Sequence, residues 1–383
     1  MTMMLALLLQ VGSQPVPPID ASRSDIVVTG QSLADREKAL AACKARQCSP
    51  DKEIRAALAV ASRQFVDGDI VAARHTLLES RSRNARYASR YPVQVADLHR
   101  GLVTMSGLDG RPFSARVSTY DATDALKAGL SVDDYRILLQ RLETGDQLAS
   151  NGQIADSIRL YDDIAASAHD AGYIKVEAVA MFRAATLYAA AASYYSEYRG
   201  AARRRAALIE RRTEPEFDQF RDALTLVKVK LASLKADPDD REQMIASATL
   251  PQVDEAVLLF EPVNRNLGST IGLAGNTSEE PEWADVAFRV RPDGSVSDLE
   301  VVGQSDSAPG AWLNVKLRAV KDRRYAPLKR SIGDEGIPIV ERYTMVHNAQ
   351  SKTGSAIKAR ALTGTVFTTN MTGARATPGS MLQ

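Results

Sequence analysis

Few side chains of this 383-residue chain are spaced for chemistry. The 4 histidines, His75, His99, His169 and His347, are scattered. None has the HExxH or similar spacing that brings two imidazoles onto one metal ion. Asp162-Asp163 and Asp239-Asp240 are paired carboxylates. Adjacent helix positions point apart, so these pairs read as solvated or helix-start charges rather than an acid–base couple. No P-loop, dinucleotide-binding glycine motif or Gly-x-Ser-x-Gly elbow occurs. The expectation is a protein that is not an enzyme, with no catalytic residue, no cofactor and no metal. Cys43 and Cys48 are the 2 cysteines. A bridge between them needs the helix to end before Cys48, because an unbroken helix rises about 7.5 Å over that interval. Ser49-Pro50-Asp51 supplies such a break, as the start of the next helix. In an oxidising compartment the disulfide is the favoured reading; the alternative is two thiols without a role. Two basic clusters remain. Arg199, Arg203, Arg204, Arg205, Arg211 and Arg212 form one, and Lys316, Arg318, Lys321, Arg323, Arg324, Lys329 and Arg330 the other. Each is either a solvated helix face or a contact for an anionic partner, such as a membrane surface. The overall balance, 48 basic against 47 acidic residues, does not point to nucleic acid.

The elements that position these residues are mostly helical. From 33 to 248 the chain is alanine-rich with helical periodicity, suited to closely packed helices. Ser49 opens one helix, and Asp67-Gly68-Asp69 separates it from the next. Helices are also expected over 133–150 and 152–169, with 107–122 as a long loop containing Gly, Pro and Ser. Gly145, Leu148, Ser157 and Tyr161 fall near the spacing of tetratricopeptide repeats, in which small residues let paired helices touch. This part resembles a tetratricopeptide-like α-solenoid, with irregular repeats. Residues 249–282 read as a linker with a strand near Val257–Pro262. The tail, 349–383, is rich in Thr, Gly and Ala and is expected to be disordered, with pairing of Val366-Phe367 to a sheet edge as the alternative.

Residues 283–348 carry a different pattern. Val286, Phe288 and Val290 alternate with Asp285, Ala287 and Arg289, which predicts a half-buried strand. Pro292-Asp293-Gly294 is a tight turn into a second strand. Leu313, Leu317 and Val320 predict a helix, which ends at Tyr325-Ala326-Pro327. Ile339–Val346 reads as a third strand. The predicted fold class is therefore α+β, a helical domain followed by a small ββαβ domain.

The turn Asp293-Gly294, Val296 with Leu299 and Val301, Ala319-Val320, Tyr325-Ala326-Pro327 and the loop into Ile339 together resemble the C-terminal domain of TonB-family energy transducers. The resemblance implies a periplasmic domain linked to TonB-dependent transmembrane transport, which meets an outer-membrane receptor by adding a strand. It places the partner contacts at Tyr325, Pro327, Ile339, Val340, Glu341, Arg342 and Tyr343. Asp25, Ile26, Val27, Val28 and Thr29 resemble the TonB box, the extended segment that such receptors offer. They suggest β-augmentation in cis or in trans. Met1–Val11 is apolar and Gln14–Pro18 follows, which fits a short signal peptide within 1–20, although the basic n-region is missing. A frayed terminus is the other reading. The apolar start falls short of a membrane anchor. The resulting expectation is a periplasmic protein–protein adaptor. The alternative is a cell-envelope assembly or regulatory scaffold, in which the helical part binds the partner and the C-terminal domain forms a homodimer.

Overall fold

The computed structural model describes residues 32–109, 111–150, 152–234, 236–247, 250, 253–262, 282–305, 311–330, 333–351 and 358–372. The signal-peptide segment and the TonB-box-like Asp25–Thr29 lie outside the described residues.

Among the described residues eleven α-helices come first: α1 (Leu33–Ala45), α2 (Pro50–Val66), α3 (Ile70–Asn84), α4 (Pro92–Leu108), α5 (Pro112–Lys127), α6 (Tyr135–Ser150), α7 (Ile154–Asp170), α8 (Ile174–Ala191), α9 (Tyr198–Glu210), α10 (Asp218–Ser233) and α11 (Pro238–Ser247). Local sequence explains their starts. Ser32 and Asp35 exchange backbone and side-chain hydrogen bonds in a capping box, and Asp69 accepts from the Ala72 amide at 2.8 Å. Proline opens α2, α4 and α5, where its missing N–H costs nothing.

Each helix from α1 to α9 packs on the next, and α2 also touches α4, α6 touches α8 and α8 touches α10. The even-numbered helices therefore line the inner side of an array of antiparallel pairs. Close approach depends on small residues. A Cβ at Gly145 would stand 2.4 Å from the Tyr161 ring, so only glycine lets α6 and α7 meet there. Ser157, opposite, is buried and donates to the Gly145 carbonyl at 2.7 Å.

The expected loop over 107–122 is corrected: α5 occupies most of it. Pro112 sits at the helix start, and Ala115, Ala122 and Leu126 are buried against the neighbouring helices. Two threonines here are buried and bond backwards along the helix. Thr119 donates to the Ala115 carbonyl at 3.0 Å and Thr123 to the Thr119 carbonyl at 3.3 Å.

The rest is β1 (Leu258–Phe260), β2 (Glu282–Val290), β3 (Val296–Gln304), α12 (Ala311–Lys321), β4 (Arg324–Tyr325), β5 (Ile337–Ser351) and β6 (Lys358–Asn370). The main sheet has the order β3-β2-β5-β6 and is antiparallel throughout; β1 pairs with β4. Gly294 holds the β2–β3 turn at φ +82° with its amide edge against the Tyr325 carbonyl, where a Cβ would collide at 2.1 Å. One sheet face presents Ala284, Val286, Phe288, Val290, Ile339, Tyr343 and Met345 to Trp312, Leu313 and Val320 of α12.

The tail is also corrected. Residues 349–351 extend β5, and 358–370 form β6. Met371 is buried in a core cluster made chiefly by helices, including Leu102, Leu108 and Leu126. Its amide donates to the Val340 carbonyl at 2.7 Å. The order is thus extended beyond ββαβ by an extra strand pairing.

Candidate interaction surfaces

The residues expected to meet a partner are largely interior. Tyr325, Glu341 and Tyr343 have no exposed surface, Ile339 is 5% exposed and Arg342 is 7% exposed; Val340 and Pro327 are half-buried. The physical reason is topological. β5 lies between β2 and β6, so its backbone is paired on both sides. The sheet edge expected within Ile339–Val346 is corrected: the outer strands are β3 and β6. β3 carries two register shifts within its pairing with β2, and Asp298 at the second has φ +53°. Such bulges blunt an edge against unwanted pairing. Val366–Asn370 of β6 pair with Glu341–Met345 without a shift.

Beneath β5 is a buried charge cluster. Arg323 donates to Glu341 at 2.9 Å and to the Tyr325 hydroxyl at 3.1 Å, and faces Glu261 at 3.4 Å. The Tyr343 hydroxyl donates to Glu341, and Lys316 donates to Glu261. Burial would push the Glu261 carboxyl up, yet Lys316 and Arg323 outweigh it and hold the group well below the usual carboxylate range. Lys230 reaches this cluster from α10. It is buried, and burial lowers its ammonium to about 8 against the attraction of Glu261.

A second link joins sheet and helices. Arg342 forks onto Asp285 at 2.7 and 2.9 Å, stacks over Trp283 at 4.0 Å, and donates to the Leu108 carbonyl at the end of α4 at 3.3 Å. A cation at a helix C-terminus meets its dipole favourably. Leu226 and Ile245 pack with Val257, Leu259 and Ala326, so the helical array and the sheet share core on both sides. Sequence reading missed this role of Arg342, because Leu108 lies 234 positions away.

On the inner helices, Asp146 accepts from the Tyr161 hydroxyl at 2.6 Å and pairs with Arg183 at 2.8 Å. Burial pushes the Asp146 carboxyl up to about 6 despite Arg183. The group titrates near neutrality, but it does not line the 720 Å³ cleft, which lies at the sheet end between Arg289, Asp298, Arg330 and Asp334. Among the described residues no group of His, Cys, Asp and Glu side chains could hold a metal ion. No described helix is long and apolar enough to cross a membrane. Cys43 and Cys48 are disulfide-bonded with Cα atoms 5.2 Å apart; α1 ends at Ala45, between them.

The basic clusters separate by geometry. Arg205 donates to Asp162 at 2.6 Å, and Arg212 engages Glu177 and Glu214. Lys316 and Arg323 are held by Glu261 and Glu341. Arg203, Arg204 and Arg211 stay exposed on α9.

No family model and no curated protein matches the chain. Among solved structures, the chain is similar to TPR-like repeats from a Podosopora anserina protein of kinesin light chain type. The identity is 13%, the TM-score 0.39, and the match covers 52% of this chain and 93% of that one. A single-substitution variant of the same repeats matches equally. At that TM-score the likeness carries no argument, and the helical-repeat architecture of this chain rests on its own helix pairing.

Proposed function

We propose that this protein is a non-enzymatic adaptor of the bacterial periplasm. Its paired helices form a platform for a protein partner, and its TonB-like sheet takes an extended segment by strand addition. The observation that supports this most is the sheet order: among the described residues, β3 and β6 are the outer strands of the four. An added strand gains backbone hydrogen bonds, and alternate side-chain positions give specificity. β6 is the favoured edge, because its Val366–Asn370 stretch is regular whereas β3 is bulged. The occupant is Asp25–Thr29 of the same chain, or the similar segment of an outer-membrane receptor. The reading differs from a transducer that transmits force through a proline-rich rod, because here folded helices precede the sheet.

Hydrogen exchange of the full chain tests the cis pairing. Val27→Pro removes an amide and blocks extension of a ladder through that position. Faster exchange along β6 in the variant is the expected result. Unchanged exchange at both β6 and β3 would eliminate Asp25–Thr29 as the occupant.

A further inference from the structure

The outward face of α9 is basic and lacks the counter-charges that its neighbours have. Arg203, Arg204 and Arg211 are all exposed and fall within one arc of the helix, opposite the buried Ala202, Ala206 and Ile209. Several surrounding basic side chains are engaged: Arg205 with Asp162, Arg212 with Glu177 and Glu214, Arg221 with Asp218, and Lys228 of α10 with Glu210. Among the described residues, none of the three arginines meets a carboxylate. The exposed acids of this helix are Glu197 at its entry and Glu210 at its end, the latter held by Lys228. Gly200 extends the arc. A Cβ there would stand 3.4 Å from Arg204 Nη1, so the guanidinium lies back over the first turn.

The arc is not purely charged. Leu208 sits among the arginines and is 44% exposed, and Tyr195, just before the helix, is 37% exposed; Tyr194 beside it faces Glu261 and Arg323 at the sheet instead. α9 packs on α8 and α10, and the three arginines stay exposed on the side away from its buried Ala202, Ala206 and Ile209. An exposed ridge along a single helix can lie on a plane. Guanidinium groups pair with phosphate, a leucine among them can enter the headgroup boundary, and tyrosine favours that boundary.

We infer that α9 docks this protein reversibly on an anionic lipid surface, with Arg203, Arg204 and Arg211 on phosphate headgroups and Leu208 and Tyr195 at the edge of the acyl region. This site is independent of the sheet edge, so either can fail without the other. Each arginine near such a surface strengthens binding by roughly fivefold, an effect that salt screens.

Co-sedimentation of the full chain with vesicles tests it, using equal parts phosphatidylglycerol and phosphatidylcholine against phosphatidylcholine alone. Binding to the anionic vesicles only is expected, weakened by raising the salt. The variant Arg203→Gln, Arg204→Gln, Arg211→Gln should lose binding by roughly a hundredfold and keep the wild-type melting temperature, since exposed sites away from structural contacts matter little to stability. Leu208→Ser should weaken binding at unchanged charge. Arg55→Gln, at an exposed position on α2, should leave it unaltered. The inference is overturned if the anionic vesicles fail to bind, or if the triple variant binds as the wild type does. Soluble polyglutamate held by the same arginines without vesicle binding would instead assign the ridge to an acidic protein.

Discussion

Lys230 is the side chain whose environment suits it least. It is 6% exposed, and burial lowers its ammonium from 10.5 to about 8. A base whose folded value is depressed contributes stability that is present above the unfolded value and lost as pH falls through the folded one. The unfavourable window therefore opens below about 10.5 and is complete below about 8. At pH 7 Lys230→Met should stabilise the fold, by at most about 3 kcal/mol from the shift alone. The gain should shrink toward pH 10. Thermal melts at the two pH values check this, and equal destabilisation at both would mean that packing or attraction to Glu261 dominates. Glu261 itself keeps Lys316 and Arg323 in the variant, so no new unpaired carboxylate is created.

At the scale of elements, Arg342 ties β5 to the end of α4, beside the packing of Val340 and Met371. Asp285 has no exposed surface, and Arg342 satisfies both of its oxygens. Arg342→Met should cost about 3–5 kcal/mol, because it takes both guanidinium hydrogen bonds away from a buried carboxylate. Adding Asp285→Leu should recover most of that loss, because well-packed apolar side chains can replace a buried pair. A double-mutant cycle by denaturant titration measures the coupling. Purely additive losses would show that packing over Trp283 and the Leu108 carbonyl, rather than the carboxylate, makes Arg342 important.

For the whole molecule, the shared core predicts joint unfolding. Both tryptophans, Trp283 and Trp312, belong to the sheet unit, while the far-ultraviolet circular dichroism comes mainly from the helices. Tryptophan fluorescence and circular dichroism should therefore give coincident thermal transitions, and Arg342→Met should lower both together. Separate transitions would mean that the two units are independent and that Val340, Met371 and Arg342 contribute little to holding the helices. Coupling matters for the proposed function, since a partner added to β6 would then act on a strand whose neighbour touches the end of α4.

Local chemistry by itself determined the helical array, the Asp293-Gly294 hairpin, α12 and the strand near Val257, because capping, periodicity and turn geometry act over a few residues. It also narrowed the ionic candidates to two clusters, without separating ridge from interior. Tertiary structure alone decided the rest. α5 looked like a loop because the Gly, Pro and Ser of 107–122 read as loop chemistry until α4 packs beside them. β6 looked disordered because its Thr, Gly and Ala gain order only from pairing with β5. Tyr325, Glu341, Arg342 and Tyr343 looked like contacts for a partner, yet neighbours up to 234 positions away hold one of them inside the fold. Burial and pairing between distant segments have no local signature, so they could not be read from spacing.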